Sequence, residues 1–147
     1  MKSCLSVDQI RTMLRSKGLQ VTSQRVALCR FVLCEADHPT VDTVKLWAEE
    51  NDVQVSQATV YNTLNMLVDA GLMKVFRFPH SDRMVYDNNV HHHHHLLDEE
   101  TNHILDLEPG QVNFYAGLSK EWDISEVAVF VRAKRRSSKM DTARQNI

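Results

Sequence analysis

The chain has 147 residues, 43% of them apolar, and a formal net charge of −2. That length suits one ordinary domain or two small ones, and the apolar share is that of a folded protein, which excludes disorder as the default. No stretch approaches the ~18 apolar residues of a membrane helix. The first twenty residues carry charges where a secretory signal would be apolar, so the chain is expected to be cytoplasmic, with no membrane partner.

A near-neutral total excludes a globally basic nucleic-acid binder, but the charge is unevenly spread. Residues 1–87 hold ten Lys/Arg against ten Asp/Glu, residues 88–131 one against eight, and residues 132–147 six against one. DNA contact would need a local patch, while the acidic middle attracts cations. Cys4, Cys29 and Cys34 include no Cys-x-x-Cys pair, which signals neither a disulfide framework nor a thiolate zinc site. Cys29 and Cys34 are expected to fill core.

In chain order, Ser6 caps a first helix with Val7, Ile10, Met13 and Leu14 at helical spacing, ending near Gly18. Thr22 caps a second over about 23–36, which His38-Pro39 stops. Thr40 caps a third carrying Val41, Val44, Trp47 and Ala48, closed by Asn51-Asp52. Ser56 caps a fourth over about 57–70, with Gly71 as its stop. Leu72–Phe78 and Met84–Tyr86 then flank a polar turn, so helices are followed by a hairpin, the order of a winged helix-turn-helix.

After Asp87 a histidine run leads into Leu96-Leu97, a polar turn at 98–102, and His103–Leu107, read as a second hairpin. Residues 111–120 suit a short helix, and alternation from Ile124 to Ala133 predicts a strand. The expected class is α+β: an N-terminal winged helix-turn-helix over 1–86, a small C-terminal α/β metal-binding dimerisation domain over 87–135, and a flexible basic tail over 136–147.

On the fourth helix, Val60, Leu64, Leu67 and Val68 form one apolar stripe, leaving Ala58, Tyr61, Asn62 and Asn65 outside it. Ser56, Ala58 and Thr59 are small enough at the helix start to enter a major groove. Asn side chains can read adenine, and Tyr61 can reach phosphate or a thymine methyl. Gln24 and Arg25 at the start of the second helix, and Arg77 and Arg83 near the hairpin turn, are candidate phosphate contacts. Ordinary solvated positions are the alternative for any one of these; their order along the chain is what favours DNA.

His91 to His95 is the strongest oddity. In an extended run, His91, His93 and His95 share one face and His92 and His94 the other, so residues two apart can chelate. A hairpin turn near Glu100 brings Asp106 opposite His94 or His95, Asp87 lies six residues before His93, and His38 could add a ligand from the N-terminal half. Imidazole with carboxylate and no thiolate suits Fe²⁺, Mn²⁺ or Zn²⁺. A solvated tract that binds metal adventitiously is the bland alternative, and His80 and His103 are read as surface residues.

From Leu14 to Leu107 these residues resemble the ferric uptake regulator (Fur) superfamily. Thr22-Ser23-Gln24-Arg25 is similar to its Thr-x-Gln-Arg element, His38-Pro39-Thr40 to its His-Pro loop, and Ser56–Leu64 to its recognition helix. Tyr86-Asp87, the His run and Leu105-Asp106 resemble its regulatory metal site. The resemblance implies His38, Asp87, His93, His95 and Asp106 as regulatory ligands for Fe²⁺ or Mn²⁺, with Zn²⁺ able to substitute in vitro, and Tyr61 as a DNA contact. It also implies a homodimer on a palindromic double-stranded operator, and no enzyme or catalytic residue. Asp at 87 and 106 looks like the peroxide-sensing PerR branch and also like the iron- and haem-responsive Irr branch. The family's Cys-x-x-Cys pair is replaced by Asp98 and Thr101, so no structural zinc is expected; His92 and His94 would make at most a partial second metal site. The resemblance thus implies a metal-dependent repressor, peroxide-sensing first and iron- or haem-responsive second. A small non-haem metalloenzyme or a metal-storage protein are rivals that would not require the helix order.

Overall fold

The computed structural model describes residues 4–114, 117, 118 and 120–137, and is α+β. The chain divides into two compact units, one running to His91 and one starting at His92.

In the first unit, α1 (Val7–Ser16) starts on a Ser6–Gln9 capping box, α2 (Ser23–Arg30) on Thr22, α3 (Val41–Glu50) on a Thr40–Thr43 capping box, and α4 (Gln57–Asp69) on Ser56. Each cap oxygen accepts a first-turn amide that would otherwise lack a partner. Gly18 and Gly71 take positive φ just past α1 and α4, where a side chain would be strained. Ile10 and Leu14, Leu28 and Cys29, Val44 and Ala48, and Val60, Leu64 and Leu67 converge on one core from all four helices. Burial of each large aliphatic chain there is worth about 1.5–3 kcal/mol. Val68, the fourth member of the stripe expected on α4, packs against this core while partly buried.

The second helix does not continue as an α-helix to 36. It widens into a π-helical turn at Phe31–Glu35, closed by the Ala36 amide donating to Phe31 O at 2.9 Å. The buried Asn88 holds this turn open: its Nδ2 donates to Val32 O at 2.9 Å and to Ala36 O at 2.8 Å. Neither carbonyl needs a further helical turn as its partner, so the chain can leave the helix before Pro39. The hairpin β1 (Lys74–Arg77) and β2 (Met84–Asp87) is shorter on its first strand than expected. β2 anchors to the rest of the unit at Tyr86, whose amide donates to Pro39 O at 2.8 Å and whose hydroxyl donates to Asn65 Oδ1 at 3.1 Å.

The expectation that Cys34 is core filling is corrected. Cys29 is buried, but Cys34 is bonded to Cys4, 30 residues away. α1 packs on α2, which brings the segment ahead of the Ser6 cap to the end of the second helix, a proximity that no local spacing encodes.

The second unit is a three-stranded sheet in the order β4 (Ile104–Leu107), β3 (His94–Asp98), β5 (Phe130–Ala133). β3 runs antiparallel to β4 and parallel to β5. The last strand therefore covers Phe130–Ala133 and not Ile124–Ala133, because β3 offers partners only along its own five residues. The short helix expected over 111–120 is also corrected. A 3-10 turn spans Pro109–Gln111, and the described residues that follow are not helical; residues 115, 116 and 119 lie outside those described. Most of the basic tail, from 138 on, also lies outside them.

At the β3–β4 turn, Asp98 Oδ1 accepts the Glu100 amide at 3.0 Å, and Asn102 adopts positive φ. Hydrogen bonds from the Glu100 backbone, then from Thr101, hold the Asp98 carboxyl below the usual carboxylate range against the opposing effect of desolvation. Arg132 pairs with Glu99 at 2.9 Å across the adjoining strand end.

Asn88→Ala should lower the urea-unfolding free energy of the first unit by about 1–3 kcal/mol, because two buried carbonyls lose their donor. An unchanged midpoint would mean that the π-helical turn does not need this side chain.

Candidate functional site

In the second unit, the histidines leading into and opening β3 fall into two pairs of alternate residues. His93 and His95 have ring centroids 4.5 Å apart, and His92 and His94 5.0 Å apart. The register places Asp106 directly across from His95, which resolves the alternative of His94. Nε2 of His93 and Nε2 of His95 are 3.0 Å apart, and Asp106 Oδ1 lies 3.3 Å from the first and 3.7 Å from the second. His95 is buried and stacks on Phe130, which fixes its plane.

These spacings can be tested against a metal. Ligand bonds of about 2.1 Å place neighbouring donors about 3.0 Å apart in an octahedron and about 3.4 Å apart in a tetrahedron. Two imidazole nitrogens and a carboxylate oxygen at 3.0, 3.3 and 3.7 Å fit the edges of one coordination polyhedron. His91, on the same face by parity, is exposed and precedes the strand.

In the first unit, His38 and Asp87 form a second group. The Tyr86–Pro39 backbone bond sets the end of β2 beside the His38 loop, and His38 Nε2 lies 3.5 Å from Asp87 Oδ2. Asp87 is 3% exposed, and its Oδ1 accepts the Asn89 amide at 2.8 Å. His38 holds a positive φ of 46°, which costs roughly 1–2 kcal/mol for a non-glycine residue. His38 Nδ1 lies 2.8 Å from Asp37 Oδ1, so an Nδ1–H can donate to that carboxylate while Nε2 faces Asp87. Asp37 and Asn88 were missed by sequence reasoning. The adjacency of Asp37 to a candidate ligand was the available signal, whereas nothing local marks Asn88.

His94 is 3% exposed, and its Nδ1 accepts the Val129 amide at 3.2 Å. One ring nitrogen of the partial second site expected from His92 and His94 is thus already used. Burial, followed by the neighbouring His92, His93 and His95, pushes the His94 pKa below its ordinary 6.5.

The residues expected to meet DNA also gather on the first unit. Gln24 and Arg25 of α2, with Ser56 and Thr59 at the start of α4, line one open groove of about 290 Å³. Tyr61 is 54% exposed, and Ala58, Asn62, Arg77 and Arg83 are exposed as well. Arg25 is half-buried and donates from Nη1 to Gln20 O at 2.9 Å, and Asn65 is half-buried with its Oδ1 bonded by Tyr86. His80 and His103 are exposed. No helix among the described residues is long and apolar enough to cross a membrane.

One unit of four helices and a hairpin with an exposed polar face on α4, and a second unit whose sheet bears a His/Asp donor cluster, define the class as a metal-responsive regulator. Residues 16–127 match the model of the ferric uptake regulator family, and the chain belongs to that family of metal-dependent transcriptional regulators. It is 32% identical over 100 residues to the peroxide-responsive repressor PerR of Staphylococcus aureus, covering 68% of this chain and 67% of that protein. Its fold is similar to the ferric uptake regulator of Pseudomonas aeruginosa solved with manganese (TM-score 0.61, 18% identity, 87% of this chain and 98% of that one). It is also similar to that of Francisella tularensis solved with iron (TM-score 0.60, 23% identity, 81% and 93%).

A folded-state pKa depressed below 6.5 means that the unfolded chain takes up the His94 proton first, so this residue contributes stability above that pH and loses it as pH falls through the folded value. In the metal-free chain, the His94 ring resonance should titrate below the ordinary histidine midpoint, and His94→Gln should flatten the loss of stability on acidification. A His94 midpoint at or above the ordinary value would contradict the desolvated environment described.

Proposed function

We propose that this chain is an iron-dependent, peroxide-sensing repressor. Residues 1–86 serve as a winged helix-turn-helix, residues 87–135 as the dimerisation domain, and 136–147 as a flexible basic tail. It acts in the cytoplasm as a homodimer on a palindromic operator, with no membrane partner and no catalytic turnover. The observation that carries this reading is the spacing of His93 Nε2, His95 Nε2 and Asp106 Oδ1 as neighbouring ligands of one cation. The likeness to a peroxide-responsive repressor supports the choice of signal.

His93, His95 and Asp106 would hold the cation from the second unit, and His38 and Asp87 from the first, so one ion would tie the DNA-binding half to the dimerising half. Ferrous iron would supply redox chemistry toward peroxide, whereas Mn²⁺ or Zn²⁺ would supply binding alone. The chain's own part is to hold neutral imidazoles with lone pairs inward, Asp37 fixing the His38 tautomer and Phe130 the plane of His95. A cation shared between units selects one arrangement of the two winged units and hence one half-site spacing. Ser56, Ala58, Thr59, Tyr61, Asn62 and Asn65 would then face the groove, with Gln24, Arg25, Arg77 and Arg83 toward phosphate.

Protein loaded with Fe²⁺ anaerobically and then exposed to peroxide should gain about 16 Da on a peptide holding His38 or the His run and lose affinity for operator fragments selected from genomic DNA; Mn²⁺-loaded protein should do neither. The pair His93→Ala with Asp106→Ala should weaken Mn²⁺ binding by at least about 100-fold and abolish the mass gain. No gain in the iron-loaded wild type would remove peroxide as the signal.

A further inference from the structure

Cys4 and Cys34 belong neither to the candidate metal donors nor to the helix proposed to face DNA. Cys4 is exposed, two residues ahead of the Ser6 cap; Cys34 is half-buried in the π-helical turn, and their Cα atoms are 4.9 Å apart. We propose that this pair is a reversible thiol–disulfide site, oxidised by hydroperoxide and reduced by small thiols, whose closure tightens the hold of His38 and Asp87 on a cation.

A disulfide with one exposed partner persists only under oxidising conditions; in the reducing compartment proposed above it opens and closes with the redox state. In the closing direction, one thiolate attacks the peroxide O–O bond, forming a sulfenic acid and releasing hydroxide that is protonated to water. The second thiolate attacks that sulfur, the S–S bond forms, and the displaced hydroxide leaves as a second water. Two thiols and one hydrogen peroxide thus become one disulfide and two waters, with both electrons coming from the sulfurs. Cys29 does not compete: it is fully buried in the helical core, and burial pushes its thiol up to about 12.

The consequence for the metal donors follows from the chain path. Cys34 lies four residues ahead of His38, and the turn containing it is bound at Val32 O and Ala36 O by Asn88, the residue after Asp87. With the sulfurs joined, His38 Nε2 and Asp87 Oδ2 stand 3.5 Å apart, a spacing suited to neighbouring ligands. Opening the bond frees the end of the turn and widens the set of positions that His38 visits, so a cation must then supply the ordering itself. By reciprocity, a bound cation stabilises the disulfide by the same factor that the disulfide strengthens the cation.

This coupling rests on His38 and Asp87 being ligands, as proposed above; the disulfide chemistry does not. The full chain, reduced and kept in chelator so that iron cannot act, should lose about 2 Da on treatment with hydrogen peroxide, yield a Cys4–Cys34 cross-linked peptide, and regain the mass with glutathione. After removal of peroxide and chelator, oxidised protein should bind Mn²⁺ about fivefold or more tightly than reduced protein, and Cys4→Ser should match the reduced wild type whether or not it has met peroxide. No mass loss, a linkage through Cys29 or between chains, or Mn²⁺ affinities within about twofold of each other would overturn the proposal. Failure of the peroxide-sensing reading would instead appear as a missing histidine oxidation, with the disulfide readout intact.

Discussion

The constraint on which the rest of this structure turns is the cost of burying a carboxylate. Asp87 is almost fully enclosed, and its anionic form is tolerable only with donors or positive charge at hand. The Asn89 amide supplies one donor and His38 stands at the other oxygen. A histidine there meets the need by taking a proton, or by sharing a divalent ion with the carboxylate. On the second unit Asp106 is exposed and the constraint is a different one: two imidazole nitrogens 3.0 Å apart cannot both carry protons toward each other. A cation would satisfy either group, and under the proposed function one shared cation is what couples metal availability to the protein's arrangement.

The first unit contains a direct path from that demand to the helix expected to read DNA. Asp87 ends β2, and its neighbour Tyr86 is buried, binding Pro39 through its amide and Asn65 of α4 through its hydroxyl. Moving Asp87 therefore disturbs bonds that reach both the His38 loop and α4. Asn88, on the other side of Asp87, holds the π-helical turn through two carbonyls. Three consecutive residues thus tie a candidate ligand to three separate elements of the helical unit.

Much of this was legible in the sequence because it is local. Ser6, Thr22, Thr40 and Ser56 cap the four helices because a hydroxyl at that position answers an amide a few residues on, and Gly18 and Gly71 lie just past helix ends where φ turns positive. The pairing of Asp106 with the His run followed from a turn near Glu100, though only the register chose His95 over His94. What stayed hidden depends on distant partners. The length of β5 is set by β3, the π-helical turn by Asn88, and the Cys4–Cys34 bond by the packing of α1 on α2. Asp37 was readable in principle, yet its role appears only once the His38 ring is oriented.

Mn²⁺ titrated into isotopically labelled, metal-free protein puts the shared cation to the most direct test, because its unpaired electrons broaden the resonances of nearby nuclei. A single ion gripped from both units requires the signals beside His38 and Asp87 and those beside His93, His95 and Asp106 to broaden together, complete at one Mn²⁺ per chain. Broadening of one group ahead of the other, or a second equivalent needed to reach it, would show that the two groups do not serve the same ion.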